Sequence, residues 1–322
     1  MEYRRFGNSE LETSVVGLGG WPMGKGQYGS FDENEVIKAV HKALDLGVTL
    51  FDTAQSYGWG AGEELMGRAL KGRRHDCIIV TKSGVRWDQD NLSWKPEWDS
   101  SKEFLNKMLE GSLRRLQTDY IDLLLIHWPD TSRPFSEPME VFARWKKEGK
   151  IRYGGVSNFN AAQIEESLKT FPLICNQIGY NLFDRRPEKE LFPFCKGHGL
   201  GIMAYGSLCF GLLTGTMTAD TKFEEGDWRR NSQTVVRLLG FPIFEDENFV
   251  RSLEIADKLK KIAASQGKSM AQLAVAWVLS NPAITVALTG ARRPSEIEEN
   301  VVAGDWKLAD EVKAEIESAF TG

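Results

Sequence analysis

Short apolar runs separated by amphipathic segments recur eight times along the chain, and this repeat limits the possible folds more than any other feature. Each run is apolar throughout, which is typical of strands covered on both faces. They lie at 15–18, 48–51, 77–80, 123–126, 153–156, 173–176, 201–204 and 285–288. Helical spacing of apolar residues is found at 33–46, 62–70, 101–116, 138–148, 161–168, 189–198, 272–279 and 295–303. Eight strand–helix repeats predict an α/β fold, a closed (β/α)8 TIM barrel.

The remaining segments fit additions to such a barrel. Residues 1–6 and those after Glu10 predict an N-terminal β-hairpin that plugs its bottom. Residues 245–266 and 310–320 predict two extra helices. The stretch 211–248 shows no steady periodicity and predicts a long loop after the seventh strand, on the active-site face. We therefore expect residues 1–322 to form a single barrel domain.

Composition excludes several classes of protein. The 322 residues carry 40 Lys and Arg against 45 Asp and Glu, for a net charge of −5, so nucleic acid is not an expected partner. No apolar run reaches the ~18 residues that span a bilayer, so no membrane association is predicted. The N-terminal residues lack the apolar core of a signal peptide, and the four cysteines lack CxxC spacing. These features predict a cytoplasmic protein.

One motif favours a different fold. Gly24, Gly26 and Gly29 match the G-x-G-x-x-G fingerprint of dinucleotide-binding folds, and Asp52 follows at a suitable distance. In that fingerprint the first glycine closes a strand and the third lies inside a helix. Here three residues separate the strand from the glycines, and the expected helix cap, Asp32, comes after them. The barrel is therefore favoured.

Polar residues follow the predicted strands, at the end where a barrel of this kind carries its active site. They are Asp52 with Tyr57, Lys82, His127, Ser157 with Asn158, Gln177, Tyr205 with Ser207, and Arg292, two residues after Gly290. A barrel core needs none of these polar side chains. Only one histidine, His127, follows a strand directly, and a metal site needs several converging ligands, so no metal is predicted.

Four of these residues suggest proton transfer by a phenol. A tyrosine titrates near pH 10, and a buried ammonium beside it favours the phenolate. Lys82 is the candidate ammonium, and Asp52 would keep it charged. We expect a lowered pKa for Tyr57, which would donate a proton to a carbonyl as hydride arrives or accept one from an alcohol. His127 would hydrogen-bond the substrate oxygen.

Several segments resemble the motifs of the aldo-keto reductases. They are 47–58, 62–70, 79–82, 119–123 with His127, and 149–159. The resemblance extends over nearly the whole chain and implies reversible, nicotinamide-dependent reduction of an aldehyde or ketone. It places the family's catalytic tetrad on Asp52, Tyr57, Lys82 and His127, the same four residues that the strand ends single out.

The resemblance also implies a nicotinamide dinucleotide bound in an extended form. Ser157, Asn158 and Gln177 would bind its carboxamide, and Tyr205 would stack on the nicotinamide ring. Ser207, Leu208, Gly211 and Leu213 would cover the pyrophosphate, while Gly290, Arg292, Glu296, Glu299 and Asn300 would surround the adenosine. Glu296 replaces the Arg or Gln common in the family, and a carboxylate repels a 2′-phosphate, whereas Arg292 and Arg293 attract one. Of these two, Arg293 is expected to be a solvated surface charge and not a cofactor contact. We expect NADP(H), with NAD(H) as the alternative.

The substrate is predicted only as a class. Trp21, Trp59, Trp87 and Trp128 follow the first four strands and would line the pocket mouth, where sugar or aromatic carbonyls would fit. Trp94 and Trp98 are expected at the surface. Two other functions stay open at this point. One is a nucleotide-binding regulatory subunit or sensor without turnover, and the other is a sugar epimerase that uses the cofactor transiently. The sequence predicts no oligomeric state.

Overall fold

The computed structural model describes residues 1–26, 28–86 and 97–321. In chain order its strands are β1 (Tyr3–Arg5), β2 (Glu12–Ser14), β3 (Val16–Gly19), β4 (Leu50–Asp52), β5 (Ile78–Ser83), β6 (Val85–Arg86), β7 (Glu97–Trp98), β8 (Ile121–Ile126), β9 (Ile151–Ser157), β10 (Cys175–Gly179), β11 (Gly201–Tyr205) and β12 (Ile284–Gly290). Its helices are α1 (Glu33–Asp45), α2 (Ala61–Ala69), α3 (Lys102–Leu116), α4 (Ser136–Lys147), α5 (Ala161–Leu168), α6 (Leu191–Gly197), α7 (Ser232–Leu239), α8 (Asp246–Ser265), α9 (Met270–Ser280), α10 (Pro294–Val301) and α11 (Asp310–Thr321).

Eight parallel strands close into a barrel in the order β3-β4-β5-β8-β9-β10-β11-β12, and β12 pairs back onto β3. Each barrel strand overlaps one of the eight apolar runs, so the predicted (β/α)8 barrel is confirmed. The G-x-G-x-x-G segment does not open a helix, because α1 begins only at Glu33, capped by Asp32 through the Asn34 N–H. The alternative dinucleotide-binding fold is therefore excluded.

The N-terminal hairpin is also present. β1 and β2 pair antiparallel, with Tyr3 opposite Ser14. Phe6 and Leu11, on the connection between them, are buried among the apolar side chains that fill the barrel. The hairpin therefore closes the bottom of the barrel and leaves the other end as the functional face.

The alternating direction of side chains along the strands explains which residues reach the functional face. Successive side chains of a strand point to opposite sides, so every second residue enters the barrel. Apolar side chains inside the barrel include Leu50, Val80, Leu125, Cys175 and Met203. In each case the residue two positions later in the chain is polar. These residues are, in the same order, Asp52, Lys82, His127, Gln177 and Tyr205. The layer of interior side chains at the C-terminal end of the barrel is thus polar, and the layer below it is apolar.

The long segment after β11 contains a helix that the sequence did not predict. Within 211–248, α7 begins after Asn231, whose side chain accepts a hydrogen bond from the Thr234 N–H at 3.0 Å. It buries Val235, Leu238 and Leu239, a helical spacing, and ends at Gly240, whose φ of 85° suits glycine. The segment is long, as predicted, but it is not irregular throughout.

No helix within the described ranges is both long and apolar enough to cross a bilayer.

Candidate active site

A hydrogen-bonded group at the top of the barrel joins four residues from different elements. The Lys82 ammonium on β5 donates to both Asp52 carboxylate oxygens at 2.7 and 2.8 Å, and to the Thr53 carbonyl at 2.9 Å. Its Nζ lies 3.1 Å from the Tyr57 hydroxyl. Gln177 Nε2 donates to Asp52 Oδ1 at 2.7 Å. Lys82 and Asp52 are almost completely buried, so their charges compensate each other away from water.

Tyr57 is positioned by an unusual turn after β4. Gly58, Trp59 and Gly60 have φ values of 55°, 58° and 99°, so three successive residues lie in the left-handed region. A Cβ on Gly58 would lie 2.5 Å from the Lys25 backbone nitrogen, so only glycine lets the two loops approach. Trp59 adopts this conformation without being glycine, which costs about 1–3 kcal/mol and is typical of functional sites.

The Tyr57 hydroxyl is more weakly acidic than the sequence suggested. Burial raises its pKa well above 10, and the negative charge of Asp52 raises it further. The expectation of a lowered pKa is wrong because the Lys82 ammonium is paired: Asp52 offsets the stabilisation that the ammonium offers a phenolate. Tyr57 is therefore held as a neutral phenol, a hydrogen-bond donor.

His127 is held in its neutral form beside Tyr57. Burial lowers its pKa well below 6.5, and the charges of Lys82 and then Arg237 lower it further. The two rings meet edge to face, with centroids 5.8 Å apart. His127 Nδ1 lies 3.4 Å from the Ser56 hydroxyl. A neutral imidazole with one nitrogen engaged in this way offers the other nitrogen to a ligand.

A continuous cavity of about 820 Å³ opens above these residues. Asp52, Tyr57 and His127 line it, whereas Lys82 lies behind Tyr57. Of the residues predicted to bind the cofactor, those that line it are Ser157, Asn158, Gln177, Tyr205, Ser207, Leu208, Gly211, Gly290, Arg292, Glu296, Glu299 and Asn300. Leu213 does not line it, because its side chain is completely buried in the outer apolar core. Apart from Leu213, the residues predicted to bind the cofactor thus line one cavity.

The residues nearest the tetrad are already linked to one another. Asn158, with φ 63°, donates to the His127 carbonyl and to the Ser157 hydroxyl, both at 3.1 Å. Its carbonyl oxygen accepts from the Tyr205 hydroxyl at 2.8 Å. These bonds fix the Tyr205 ring as one wall of the cavity.

The opposite end of the cavity carries opposed charges. The Arg292 guanidinium donates to the Tyr28 and Ser30 carbonyls at 3.2 Å, so it is bonded to neutral acceptors. Glu296, in the first turn of α10, accepts a hydrogen bond from the backbone N–H of Arg292 at 2.7 Å. Its carboxylate also pairs with the Arg293 guanidinium at 2.7 Å. This end of the cavity is therefore lined by two cations, Arg292 and Arg293, and by two carboxylates, Glu296 and Glu299.

Aromatic side chains form the wall between the two ends. Trp21 stacks on Tyr57 at 6.0 Å and on Trp228 at 4.9 Å. Trp228 comes from the long segment and is almost completely buried, which places it behind the wall. Trp21, Trp59 and Trp128 line the cavity as predicted. Trp87 and Trp94 lie outside the described residues.

Sequence reasoning missed part of the site. Trp98, expected at the surface, lines the cavity and stacks on Trp128 with centroids 5.3 Å apart. Thr234, Arg237 and Leu238 of α7 also line it. The spacing of Val235, Leu238 and Leu239, with Asn231 before and Gly240 after, was the available signal for that helix.

Within the described part of the chain, no three His, Cys, Asp or Glu side chains are arranged to hold a metal ion.

Comparison with known proteins gives a consistent result. The model of the Aldo/keto reductase family matches residues 15–320. The chain is 38% identical to Aldo-keto reductase YhdN of Bacillus subtilis, over 98% of this chain and 92% of the relative. It is 32% identical to the NADH-specific methylglyoxal reductase of Escherichia coli, over 94% of each chain. The solved structure of the glycerol dehydrogenase AKR11B4 from Gluconobacter oxydans matches with a TM-score of 0.87 and 36% identity, over 99% of this chain and 95% of that one.

Proposed function

The chain belongs to the aldo/keto reductase family, whose members are oxidoreductases acting on carbonyls with NAD(P)H, and on this basis we propose that it reduces an aldehyde or ketone to an alcohol, reversibly. The observation that carries the proposal is the buried Lys82 ammonium, 3.1 Å from the Tyr57 hydroxyl and bonded to both oxygens of Asp52. A phenol beside a buried ammonium, inside a cavity, is the arrangement that proton transfer to a carbonyl oxygen requires.

In the proposed reaction each residue of the group has one task. A bound reduced nicotinamide supplies the hydride that the carbonyl carbon accepts. The Tyr57 hydroxyl gives its proton to the carbonyl oxygen, so C=O becomes CH–OH and Tyr57 is left as a phenolate. Lys82 stabilises that phenolate through the 3.1 Å contact, and Asp52 keeps Lys82 positioned. A proton from water then restores Tyr57.

His127 would orient the carbonyl for this transfer. Its neutral imidazole lies beside Tyr57, and a ring N–H can donate to the substrate oxygen without competing as a general acid. Two donors on one oxygen fix the carbonyl plane against the cavity wall, and pre-organised donors of this kind are a large term in catalysis.

The cavity suits an extended dinucleotide. Gln177 uses its amide nitrogen for Asp52, which leaves its carbonyl oxygen to accept from a carboxamide. The Tyr205 ring, fixed by Asn158, offers a face for stacking. The turn through Cys209, Phe210 and Gly211 is left-handed, with φ values of 45°, 53° and 106°, and such turns can bind phosphate oxygens with backbone N–H groups. Leu208 and Ser207 would flank the pyrophosphate.

We propose NADPH as the preferred cofactor and NADH as the alternative. Arg292 lines the far end of the cavity with its guanidinium bonded to neutral carbonyls, and guanidinium groups bind phosphate well. We also propose a cytoplasmic location, supported by four cysteines that are all buried free thiols.

The direct test follows absorbance at 340 nm with purified protein, NADPH or NADH, and a panel of aldehydes, ketones and sugars. Consumption of cofactor with a carbonyl substrate supports the reductase. Tight cofactor binding without turnover would instead favour a nucleotide sensor, and conversion of a sugar without net cofactor consumption would favour an epimerase.

The pH dependence should differ between the two directions. Reduction needs the protonated Tyr57, and because its pKa is raised above 10, we expect kcat/KM for reduction to stay level from pH 7 to about 9. Oxidation of the alcohol needs the phenolate, so kcat/KM for oxidation should rise throughout the same range. Profiles measured in both directions with one substrate pair check this; a midpoint near pH 7 in either profile would contradict it.

Replacing Glu296 should change cofactor preference. In Glu296→Arg we expect the ratio of kcat/KM for NADPH over NADH to rise about tenfold, because a charge-assisted hydrogen bond to phosphate contributes roughly 1.5–3 kcal/mol. Glu298→Arg makes the same charge change on α10 outside the cavity and serves as the control. An equal rise in both variants would point to net charge alone.

A further inference from the structure

Arg237 of α7 is a guanidinium at the cavity for which the proposed reaction has no use. It lines the cavity and is exposed. Its Cζ lies 5.5 Å from the Trp128 ring centre and 5.6 Å from that of Trp98, within the distance of a cation–π contact. Among residues 1–26, 28–86 and 97–321, no carboxylate forms an ion pair with it. Its charge is therefore held in place by rings that leave its hydrogen-bond donors available.

The helix that carries Arg237 is itself anchored. The Arg186 guanidinium donates to the Leu238 carbonyl at 3.0 Å, and Arg186 is bound by the buried Asp184 through two bonds of 2.7 Å. Leu238 and Thr234, on the same face, are buried against the cavity. The helix that carries Arg237 is thus held to the rest of the barrel by Arg186 and by its own buried face.

The position of Arg237 links it to the reacting end of the cavity. Trp128, which it contacts, directly follows His127 in the chain. Its charge contributes to the lowered pKa of His127, after burial and Lys82, and to the pKa of Tyr205. The dinucleotide phosphates would lie instead along the turn at 206–211 and at Arg292. An anion at Arg237 would therefore belong to the substrate.

We propose that Arg237 is a specificity-determining residue and that the substrates it selects are carbonyl compounds that carry an oxyanion, a carboxylate or a phosphate. This inference rests on the proposed reductase function. The guanidinium would bind two oxygens of the anion with parallel hydrogen bonds, while Trp98 and Trp128 pack along the intervening carbons. The carbonyl at Tyr57 and the anion at Arg237 would then be bound together, which fixes the substrate's orientation.

The test uses two substrate pairs, each with one charged and one neutral aldehyde. 4-Carboxybenzaldehyde is compared with its methyl ester, methyl 4-formylbenzoate, and glyceraldehyde 3-phosphate is compared with glyceraldehyde. For each pair the ratio of kcat/KM, charged over neutral, is measured in the wild type, Arg237→Met, Arg237→Lys and Arg251→Met. Arg251 lies exposed on α8 outside the cavity, so its variant controls for the loss of one positive charge.

We expect Arg237→Met to lower the ratio about 10- to 100-fold, mainly through KM, since a hydrogen bond to a charged group contributes roughly 1.5–3 kcal/mol. Arg237→Lys should keep part of the ratio, and Arg251→Met all of it. Increasing salt should raise the wild-type KM for the charged aldehyde and leave that of Arg237→Met level. A larger loss in the phosphate pair identifies phosphate as the selected anion, and a larger loss in the acid pair identifies carboxylate.

Two outcomes separate this inference from the proposed function. If the wild type reduces both members of each pair and Arg237→Met leaves the ratios unchanged, Arg237 does not select the substrate and the inference is overturned. Quenching of tryptophan fluorescence by 4-carboxybenzaldehyde, measured with oxidised cofactor, reports binding without turnover. Binding that depends on Arg237 in a protein that reduces no aldehyde or ketone would support the anion site and overturn the reductase.

Discussion

Tyr57→Phe should lower kcat for carbonyl reduction by about 10²- to 10⁴-fold, the usual contribution of a positioned general acid. The variant removes only the hydroxyl that contacts Lys82, and it keeps the ring that stacks on Trp21. Cofactor affinity should therefore stay near that of the wild type. Steady-state kinetics at 340 nm and a fluorescence titration with NADPH measure the two effects separately.

A matched control strengthens this prediction. Tyr153 lies on β9, four residues before Ser157 and outside the cavity, so Tyr153→Phe removes a hydroxyl without touching the site. We expect it to keep the wild-type rate. Full turnover in Tyr57→Phe would mean that the carbonyl oxygen receives its proton from a group other than Tyr57.

Lys82→Met should destabilise the fold as well as stop the reaction. Lys82 and Asp52 are almost completely buried, and removal of one partner of such a pair leaves an uncompensated charge, at a cost of about 3–5 kcal/mol. In Lys82→Met the Asp52 carboxylate would keep only the hydrogen bond from Gln177 among the contacts described above. Urea unfolding followed by circular dichroism measures the loss.

The double variant Lys82→Met, Asp52→Asn tests whether the two charges act as a pair. We expect it to be more stable than Lys82→Met, because no isolated charge remains, although neither variant should retain wild-type turnover. The two single variants complete a double-mutant cycle, which isolates the coupling energy. Stability losses that simply add would show that the pair contributes no coupling and that Lys82 and Asp52 are stabilised by separate neighbours.

The candidate site was predictable from the sequence where the two-residue repeat of a strand places a polar side chain just beyond an apolar one. Leu50 and Asp52, Val80 and Lys82, and Leu125 with His127 are each two residues apart, so one apolar and one polar side chain enter the barrel together. Continuous apolar runs identify the strands, and the polar residue that ends each run identifies the layer above the core. No tertiary information is needed for that step.

Other features depended on contacts that no local pattern contains. The pKa of Tyr57 reflects its burial and the charge of Asp52. Leu213 belongs to the same Gly-rich turn as Gly211, but its side chain turns into the outer core. α7 spans only 232–239, and its contribution to the cavity depends on where Arg186 anchors it. Short helices in irregular segments are determined more by such packing than by their own propensity.

The pairing of β12 with β3 also bears on the synthesis of the protein. Val16 lies opposite Ala287, so the barrel closes only when nearly the whole chain has left the ribosome. Until then β3 and β11 present open edges, which are templates for aggregation, and contacts this distant in sequence form slowly. The ribosome adds Asp52, Lys82 and His127 in the first half of the chain. The cavity-lining residues within 290–300 are added close to the end of synthesis. A growing chain therefore lacks the complete cavity throughout its synthesis, and its open strand edges are covered only when β12 is added.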